Sequence, residues 1–445
     1  MRRQLLYLSL TGTCLFLLCQ STFAATWCVN PRGTARCKST ITAAVAAASP
    51  GDTIRVARGF YREDIVISKS LSLIGAGRYG TVIDATGKAN GIFIDGTASS
   101  PNAGVSDVTI SGFTIENANF EGILVASATG VTIVDNLITN NDLSLSSHTC
   151  PGLPPFETNE GDDCGEGLHL MGTDHSVIAK NTVERNAGGI LISDETGPTH
   201  HNLISQNDVQ WNGYDCGITM ASHAAAALAH PVDGLSFGVY NNTISRNDSS
   251  FNGLLSGGGA GAGVFAPGPG TQAYGNVIIE NTLVGNGMPG VAMHNHASVP
   301  GAPPVTFRDN SVIGNHIRAN GADSEDAATA GPTGINIYSV VPITGIVVAD
   351  NVIEDESIGI SFKSPATGPN ALPQLQAHLN VFERRTIGIS NLGQATVDAT
   401  LNWWGCARGP GARGCASATT GVLFTPWSTT PPDWGDGNFE WGDRH

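Results

Sequence analysis

The segment NTVERNAGGILISDETGPTHHNLISQNDVQWNGYDCGITM, residues 181–220, contains the repeating unit from which the fold can be inferred. A glycine followed by an aliphatic residue occurs at Gly189 and again, 28 residues later, at Gly217. Asparagines follow Gly189 at 13, 18 and 23 residues, and the same three spacings follow Gly263. Self-similarity of this kind indicates a repeat protein.

The Gly-aliphatic step recurs at intervals of 22 to 46 residues, at Gly122, Gly167, Gly189, Gly217, Gly263, Gly290, Gly334, Gly359 and Gly388. Apolar and polar residues alternate after these glycines, as at Ile190 and Ile192, which is the period of a short strand with one buried face. An interval of 22 residues cannot hold a strand, a crossover helix and a returning strand, but it accommodates three short strands and three bends. The sequence therefore predicts an all-β solenoid of about eleven coils.

The asparagines are interpreted as structural. Asparagines at matching bends can stack, with each side-chain amide hydrogen-bonded to its counterpart one coil away. Several are followed by glycine, a pair that tolerates the left-handed conformation of a tight bend; these are Asn212, Asn252, Asn286 and Asn320.

Three long intervals between repeat glycines predict loops that protrude from the solenoid, near 143–165, 222–234 and 321–333. Residues 40–49 predict a short apolar helix that covers the first coil, because a stacked sheet otherwise ends in open edges. The predicted organisation is a signal peptide (1–25), an N-terminal cap and first strand (26–64), the β-helix (65–405), and a C-terminal cap and tail rich in Trp, Cys and Pro (406–445).

The N-terminus and the composition predict an exported protein. Arg2 and Arg3 precede a short apolar run and a small-residue site for signal peptidase, and no other stretch is long and apolar enough to span a bilayer. The formal net charge of -16 excludes a nucleic-acid-binding surface, which must be basic. We expect a secreted or periplasmic monomer.

Six cysteines outside the signal peptide fall into three close pairs, as expected in an oxidising compartment. The predicted disulfides are Cys28–Cys37, Cys150–Cys164 and Cys406–Cys415. The remaining Cys216 is interpreted as a small buried residue rather than a nucleophile.

The stretch ITAAVAAASPGDTIRVARGFYREDIVISKSLSLIGAGRYGTVIDA (41–85) is similar to the first coils of the pectin-lyase-like superfamily, and NWWG (402–405) resembles its closing motif. The resemblance implies a right-handed parallel β-helix over roughly residues 39–430. It does not select an activity, because this scaffold is shared by polysaccharide lyases, mannuronan epimerases and an accessory protein of nitrous oxide reductase. The catalytic signatures of polygalacturonases, mannuronan epimerases and pectate lyases are not matched.

Counting from each repeat glycine predicts columns of outward-facing residues, one of which reads Met171, Ser193, Ala221, Pro267, His294, Tyr338 and Lys363. Polar residues concentrate there and at the adjoining bend, which predicts a sugar-binding groove; a solvated polar face is the alternative. A base and a cation beside a uronic acid are what proton abstraction at C5 needs. A hydrolase needs two carboxylates, for which Glu195 with Asp194 or Asp174 is the candidate pair. Candidate catalytic residues are His294, Tyr338, Lys363, Glu195 and His223. Candidate substrate-binding residues are His169, His296, Asn336 and Phe265.

The acidic stretch that precedes Gly167 is a candidate Ca²⁺ site, with hard oxygen ligands from Glu160, Asp162, Asp163 and Glu166. A solvated run of charges is the alternative.

The resulting hypothesis for the function of the chain is a polysaccharide lyase, epimerase or hydrolase acting on a uronic-acid-containing or neutral glycan. The alternatives are a non-catalytic carbohydrate-binding or cell-surface structural protein and, with least support, an accessory role in metal-centre maturation.

Overall fold

The computed structural model describes residues 24–97, 104–143, 165–223, 234–255, 258–324, 327–368 and 371–432. Within these ranges the chain contains one helix, α1 (Ile41–Ala47), and strands that form three long parallel sheets. The predicted right-handed parallel β-helix is confirmed. In the same ranges no helix is long and apolar enough to cross a membrane.

The first sheet contains fourteen strands from the described residues, each paired with its counterpart in the next coil. They are β1 (Thr26–Val29), β2 (Asp52–Val56), β5 (Leu71–Gly75), β9 (Thr109–Ser111), β12 (Thr132–Val134), β15 (Val177–Ala179), β19 (Leu203–Ser205), β23 (Thr243–Ser245), β27 (Val277–Ile279), β31 (Ser311–Ile313), β34 (Ile346–Ala349), β37 (Leu375–His378), β40 (Val397–Asp398) and β42 (Val422–Leu423).

The second sheet contains eleven strands in the described part of the chain. They are β3 (Gly59–Tyr61), β6 (Thr81–Asp84), β10 (Thr114–Glu116), β13 (Leu137–Thr139), β16 (Thr182–Glu184), β20 (Asp208–Gln210), β24 (Asp248–Ser250), β28 (Thr282–Val284), β32 (His316–Arg318), β35 (Val352–Glu354) and β38 (Val381–Phe382).

The third sheet has a main ladder and a shorter side ladder, joined where the long strands β11 and β14 run through both. The main ladder consists of β4 (Ile65–Ile67), β7 (Ile92–Asp95), β11 (Ile123–Thr129), β14 (Glu166–Asp174), β17 (Gly188–Ser193), β21 (Ile218–Ala221), β25 (Ala262–Phe265), β29 (Val291–Asn295), β33 (Thr333–Ser339), β36 (Ile358–Lys363), β39 (Ile387–Asn391) and β41 (Ser417–Ala418). The side ladder adds β8 (Val105–Ser106), β18 (Thr199–His200), β22 (Val239–Tyr240), β26 (Gln272–Tyr274) and β30 (Thr306–Arg308).

One continuous apolar core fills the interior of the coils. The predicted alternation is correct on the inner face, where Ile190, Ile192, Ile218 and Met220 are all buried. Helix α1 is N-capped by the Thr40 hydroxyl, packs against the first strands and covers the end of this core, as expected of the segment 40–49.

The repeat glycines stack on one another. A Cβ atom on Gly122 would lie 2.7 Å from the carbonyl oxygen of Gly167, and one on Gly359 would lie 2.7 Å from that of Gly388. Glycine is therefore required by the close approach of successive coils.

One repeat glycine was assigned wrongly from the sequence. The strand register pairs Ile218 with Ala262, so that Gly261, and not Gly263, stacks on Gly217. Two glycines separated by one small residue look alike in sequence, and only the strand register distinguishes them.

The side-chain hydrogen bonds expected between asparagines of successive coils are present and form three rows. In each step the backbone N and Nδ2 of one asparagine donate to Oδ1 of the next, as from Asn207 to Asn247 at 2.9 and 3.0 Å. Nδ2 also donates to a strand carbonyl one coil back, which for Asn247 is that of Ile204 at 3.0 Å. The rows therefore satisfy backbone groups that the bends would otherwise leave buried and unpaired. They run through Asn202, Asn242, Asn276 and Asn310; through Asn136, Asn181, Asn207, Asn247, Asn281, Asn315, Asn351, Asn380 and Asn402; and through Asn141, Asn186, Asn212, Asn252, Asn286 and Asn320.

The residue with the left-handed conformation at these bends is not the Asn-Gly pair that the sequence indicated. It precedes the asparagine, as at Trp211 (φ 60°) and Phe251 (φ 60°), and of the four glycines that follow an asparagine only Gly253 has a positive φ. The preceding residue takes this conformation because the asparagine side chain must point along the axis of the solenoid to reach its neighbours.

Two predicted disulfides are formed, Cys28–Cys37 and Cys406–Cys415. Cys150 and Cys164 lie outside the described residues, as does most of the first two predicted loops. Cys216 is buried among apolar residues, and this burial raises the pKa of its thiol, which agrees with a packing role.

Replacing an asparagine in the middle of a row is expected to destabilise the solenoid. Asn247→Ala removes both bonds accepted from Asn207 and leaves the buried Ile204 carbonyl without its Nδ2 donor. We expect a loss of about 3 to 5 kcal/mol in the free energy of unfolding, measured by urea denaturation. Asn119→Ala, at a half-buried turn outside the three rows, should change it by less than about 1 kcal/mol. Equal effects of the two substitutions would contradict the role of the rows.

The third row ends on a carboxylate. Glu356 Oε1 accepts from Asn320 N at 2.9 Å and from Nδ2 at 3.0 Å. Burial raises the pKa of Glu356 to about 7, well above the ordinary value of 4.5, despite these two hydrogen bonds.

Stability should therefore depend on pH through Glu356. Between about pH 4.5 and 7 the folded chain binds more protons at this residue than the unfolded chain, so stability falls as pH rises, by at most about 3 kcal/mol. Glu356→Gln keeps the acceptor oxygen without the charge, and should raise the melting temperature at pH 8 but not at pH 4. Glu184→Gln, a half-buried glutamate beside the exposed Arg185, is the matched control and should be nearly neutral at both pH values. A pH profile of stability identical in wild type and Glu356→Gln would refute the assignment.

Candidate functional site

The outer face of the third sheet carries one column in which each residue is the register partner of the next. It reads Met171, Ser193, Ala221, Phe265, His294, Tyr338 and Lys363. The column expected from the sequence differs at one place, Pro267, where the structure has Phe265. This error follows from the choice of Gly263 instead of Gly261 as the repeat glycine.

The first part of this face holds the His169 cluster, which consists of His169, Ser193, Glu195 and His223. His169 Nε2 lies 2.8 Å from Ser193 Oγ, and the Ser193 hydroxyl donates to Glu195 Oε2. His169 Nε2 is 3.4 Å from Glu195 Oε2, and His223 Nε2 is 3.7 Å from Glu195 Oε1. The Glu195 carboxylate therefore lies between two imidazoles.

Glu195 is held in its ionised form. Its burial favours the neutral acid, but His223 and His169 outweigh this effect and keep the pKa of Glu195 well below its usual range. A carboxylate of this kind does not donate a proton near neutral pH, which removes Glu195 as the general acid of a hydrolase.

Asp194 is held by hydrogen bonds to its surroundings. Its carboxylate accepts from Ser222 Oγ at 2.9 Å, from His223 N at 2.7 Å and from Gly238 N at 2.7 Å. These bonds fix the bend between β17 and β18, so we interpret Asp194 as structural rather than as the second carboxylate of a hydrolase.

Two more carboxylates lie on the other side of His169. Its Nδ1 is 3.6 Å from Glu121 Oε1 and 3.7 Å from Glu166 Oε2, and all three residues are buried. Glu121, Glu166 and His169 are the only group of potential metal ligands found close together within the described ranges. Of the residues proposed to bind Ca²⁺, Glu160, Asp162 and Asp163 lie outside those ranges, so that Glu166 alone can be located.

The second part of the face holds the His294 cluster, formed by His294, His296, Tyr338, Lys363 and Asp323. His294 Nε2 lies 3.1 Å from Asp323 Oδ2. Ring centres of His294 and His296 are 5.2 Å apart, and those of His296 and Tyr338 are 6.1 Å apart. Lys363 Nζ lies 4.8 Å above the Tyr338 ring, a cation–π contact.

Asn336 fixes the base of the His294 cluster. Its Nδ2 donates to Asp323 Oδ2 at 2.9 Å and to the Ala327 carbonyl at 3.0 Å, and lies 3.4 Å from His294 Nε2. Phe265 packs edge-on against His294, with ring centres 5.5 Å apart. Asp323 and Ala327 belong to the loop predicted near 321–333, which folds back onto the third sheet.

The two clusters differ in their access to solvent. In the His294 cluster, Lys363 is exposed and His296 and Tyr338 are half-buried, whereas His294 and Asp323 lie beneath them. In the His169 cluster, His223 is the one member with a partly accessible side chain.

The sequence-predicted residues therefore form two groups instead of one continuous strip. His169, Glu195 and His223 are together, and three coil steps of about 4.8 Å separate β17 from β29, where His294 lies. Sequence reasoning missed Glu121 and Asp323. Glu121 could have been found, because it precedes Gly122 as Glu166 precedes Gly167. Asp323 could not, because it lies in an inserted loop that has no counterpart in the other coils.

Residues 78–231 match the family profile described as a right handed beta helix region. No curated protein sequence matches the chain.

Solved structures share the architecture at low sequence identity. The Dettilon tailspike protein aligns with a TM-score of 0.51 and 15% identity, covering 87% of this chain and 65% of that chain. The catalytic domain of a GH87 alpha-1,3-glucanase in complex with tetrasaccharides aligns at 0.50 and 13%, covering 87% and 66%. The A-module of the mannuronan C-5 epimerase AlgE4 from Azotobacter vinelandii aligns at 0.49 and 14%, covering 88% and 94%.

At these identities the likeness of the tailspike and glucanase structures concerns the fold, and it agrees with the parallel sheets and the stacked coils described above. The chain is a right-handed parallel β-helix, and residues 78–231 match the profile of that fold.

Proposed function

We propose that the protein is an exported, polysaccharide-active enzyme that removes the C5 proton of a uronic acid at the His294 cluster. The polymer would lie along the outer face of the third sheet. One observation carries this proposal: an exposed lysine, a half-buried tyrosine and a half-buried histidine converge above a buried His294–Asp323 pair.

Each of the three accessible groups, His296, Tyr338 and Lys363, has a part in the reaction. His296 takes the C5 proton, and the electron pair of that C–H bond moves toward the sugar carboxylate. The Lys363 ammonium stabilises the negative charge that develops there. When the C4–O bond then breaks, the leaving oxygen takes the Tyr338 phenol proton and a C4=C5 double bond remains. If the C4–O bond stays intact and Tyr338 returns a proton to the opposite face of C5, the result is epimerisation.

His294 and Asp323 are positioning residues in this scheme. His294 is only 1% exposed and does not reach a substrate, but it contacts the rings of His296 and Phe265 and is held by Asp323. Asn336 fixes Asp323 in turn. A hydrolase has less support, because Glu195 is held ionised and Asp194 accepts three structural hydrogen bonds, and both lie away from this cluster.

Tyr338→Phe combined with Lys363→Ala should abolish turnover of a uronic-acid polymer, because the proton donor and the charge-stabilising cation are lost. We expect a decrease of at least about 10³-fold with little change in melting temperature, since both side chains are accessible. Activity is measured by the ultraviolet absorbance of the C4=C5 bond and, for epimerisation, by NMR of the polymer.

The matched control is Tyr274→Phe combined with Arg308→Ala, a second tyrosine–cation pair, with the Arg308 guanidinium 5.0 Å from the Tyr274 ring. This variant should keep full activity. Turnover retained by the Tyr338→Phe, Lys363→Ala variant would refute the site. Binding of the polymer by wild type without any turnover would instead support the non-catalytic carbohydrate-binding alternative.

Asp323→Asn should lower kcat by about 10- to 100-fold and leave KM nearly unchanged, because it loosens the buried His294 without touching the surface that binds sugar. Steady-state kinetics on the polymer measure both constants. An increase in KM at constant kcat would show that Asp323 contributes to binding and not to positioning.

A further inference from the structure

We propose that Glu121, Glu166 and His169 bind one divalent transition metal ion of the Zn²⁺ or Mn²⁺ class. This site lies four to five coils from His294 and does not depend on the proposed reaction. Three features support this site: the register of the two glutamates, the hydrogen bonds of His169, and the distances between the potential ligand atoms.

The two glutamates occupy equivalent places in successive coils. Ile123 pairs with Leu168, which puts Glu121 next to Glu166, each two residues before its member of that pair. The two residues are 0% and 3% exposed. Two like charges in neighbouring register positions repel each other, and burial strengthens this repulsion. A cation that bridges both carboxylates converts the repulsion into attraction.

The hydrogen bonds of His169 identify its donor nitrogen. The Ser193 hydroxyl gives its proton to Glu195, so Ser193 Oγ accepts at its contact with His169 Nε2. Nε2 is thus bound by Ser193 and Glu195, and an imidazole that carries its proton on Nε2 has its lone pair on Nδ1. Nδ1 is the atom that faces Glu121 and Glu166. Three potential ligand atoms therefore face one another.

The distances fit ligands on a shared ion. Nδ1 lies 3.6 and 3.7 Å from the two carboxylate oxygens, longer than a hydrogen bond, and the three ligand atoms all lie within 4.8 Å of one another. Ligand bonds of about 2.0 to 2.2 Å at tetrahedral or wider angles give separations of this size. An imidazole nitrogen in the set favours a transition metal over Ca²⁺, which takes oxygen ligands.

The surroundings support such a site. Glu195 and Ser193 hold the other nitrogen of His169, the arrangement that orients metal-binding histidines. Gly165 has a φ of +146°, and a Cβ atom on it would lie 2.7 Å from Glu121 Oε1, so this position admits no side chain beside the carboxylate.

Metal binding is tested on the full-length protein after treatment with EDTA and dialysis. Isothermal titration calorimetry with Zn²⁺, Mn²⁺ and Ca²⁺, each alone, should give one site for a transition metal and at least about tenfold weaker binding of Ca²⁺. The bound metal should raise the melting temperature, because it binds the folded state. Ca²⁺ binding tighter than both transition metals, or no saturable binding of any of the three, would overturn the proposal.

Variants separate a metal site from a structural contact. His169→Asn and Glu121→Gln should each weaken transition-metal binding by at least about tenfold. Glu121→Gln also removes one of two like charges, so its metal-free form should melt no lower than metal-free wild type. His378→Asn, a histidine 3.9 Å from the carboxylate of Asp398, is the control and should bind like wild type. Unchanged affinity in both His169→Asn and Glu121→Gln would refute the assignment even if a metal binds elsewhere.

Discussion

The fixed spacing between successive coils is the constraint on which the rest of the molecule depends. Parallel hydrogen bonds set neighbouring strands about 4.8 Å apart, so a side chain in one coil meets the side chain in the same place of the next. The glycine stack and the asparagine rows allow this spacing at the bends, where backbone groups such as the Ile204 carbonyl would otherwise be buried without a partner. The coils can therefore vary in length outside the bends without losing register.

This regularity explains how much the sequence predicted. The fold, the inner apolar face and the column from Met171 to Lys363 follow from counting residues after each glycine, because one rule applies to every coil. Counting failed at Gly261, where two candidate glycines are two residues apart and only backbone pairing decides between them. It also failed for Asp323, whose loop has no repeat position and reaches His294 only through the folded chain.

Burial then distinguishes two groups that look equivalent in sequence. His169 and His294 both lie on the outer face and both contact carboxylates, yet the half-buried His296 and Tyr338 and the exposed Lys363 surround only His294. A polymer can touch those three side chains, whereas the His169 cluster is reached mainly at His223. The sequence could not indicate this difference, because it depends on which loops cover the sheet.

A solenoid also restricts which side chains may share a column. Identical uncharged residues stack favourably, as the asparagines do, because each amide both donates and accepts. In the column from Met171 to Lys363, Phe265 and Tyr338 flank His294, and Lys363, the one permanent cation of the column, lies over the Tyr338 ring. Glu121 above Glu166 departs from this pattern, since two carboxylates in adjacent coils can only accept. The coil spacing keeps the two carboxylates close, so a cation bound by both would offset their repulsion. The Nδ1 atom of His169, which faces both oxygens, would supply the third ligand of such an ion.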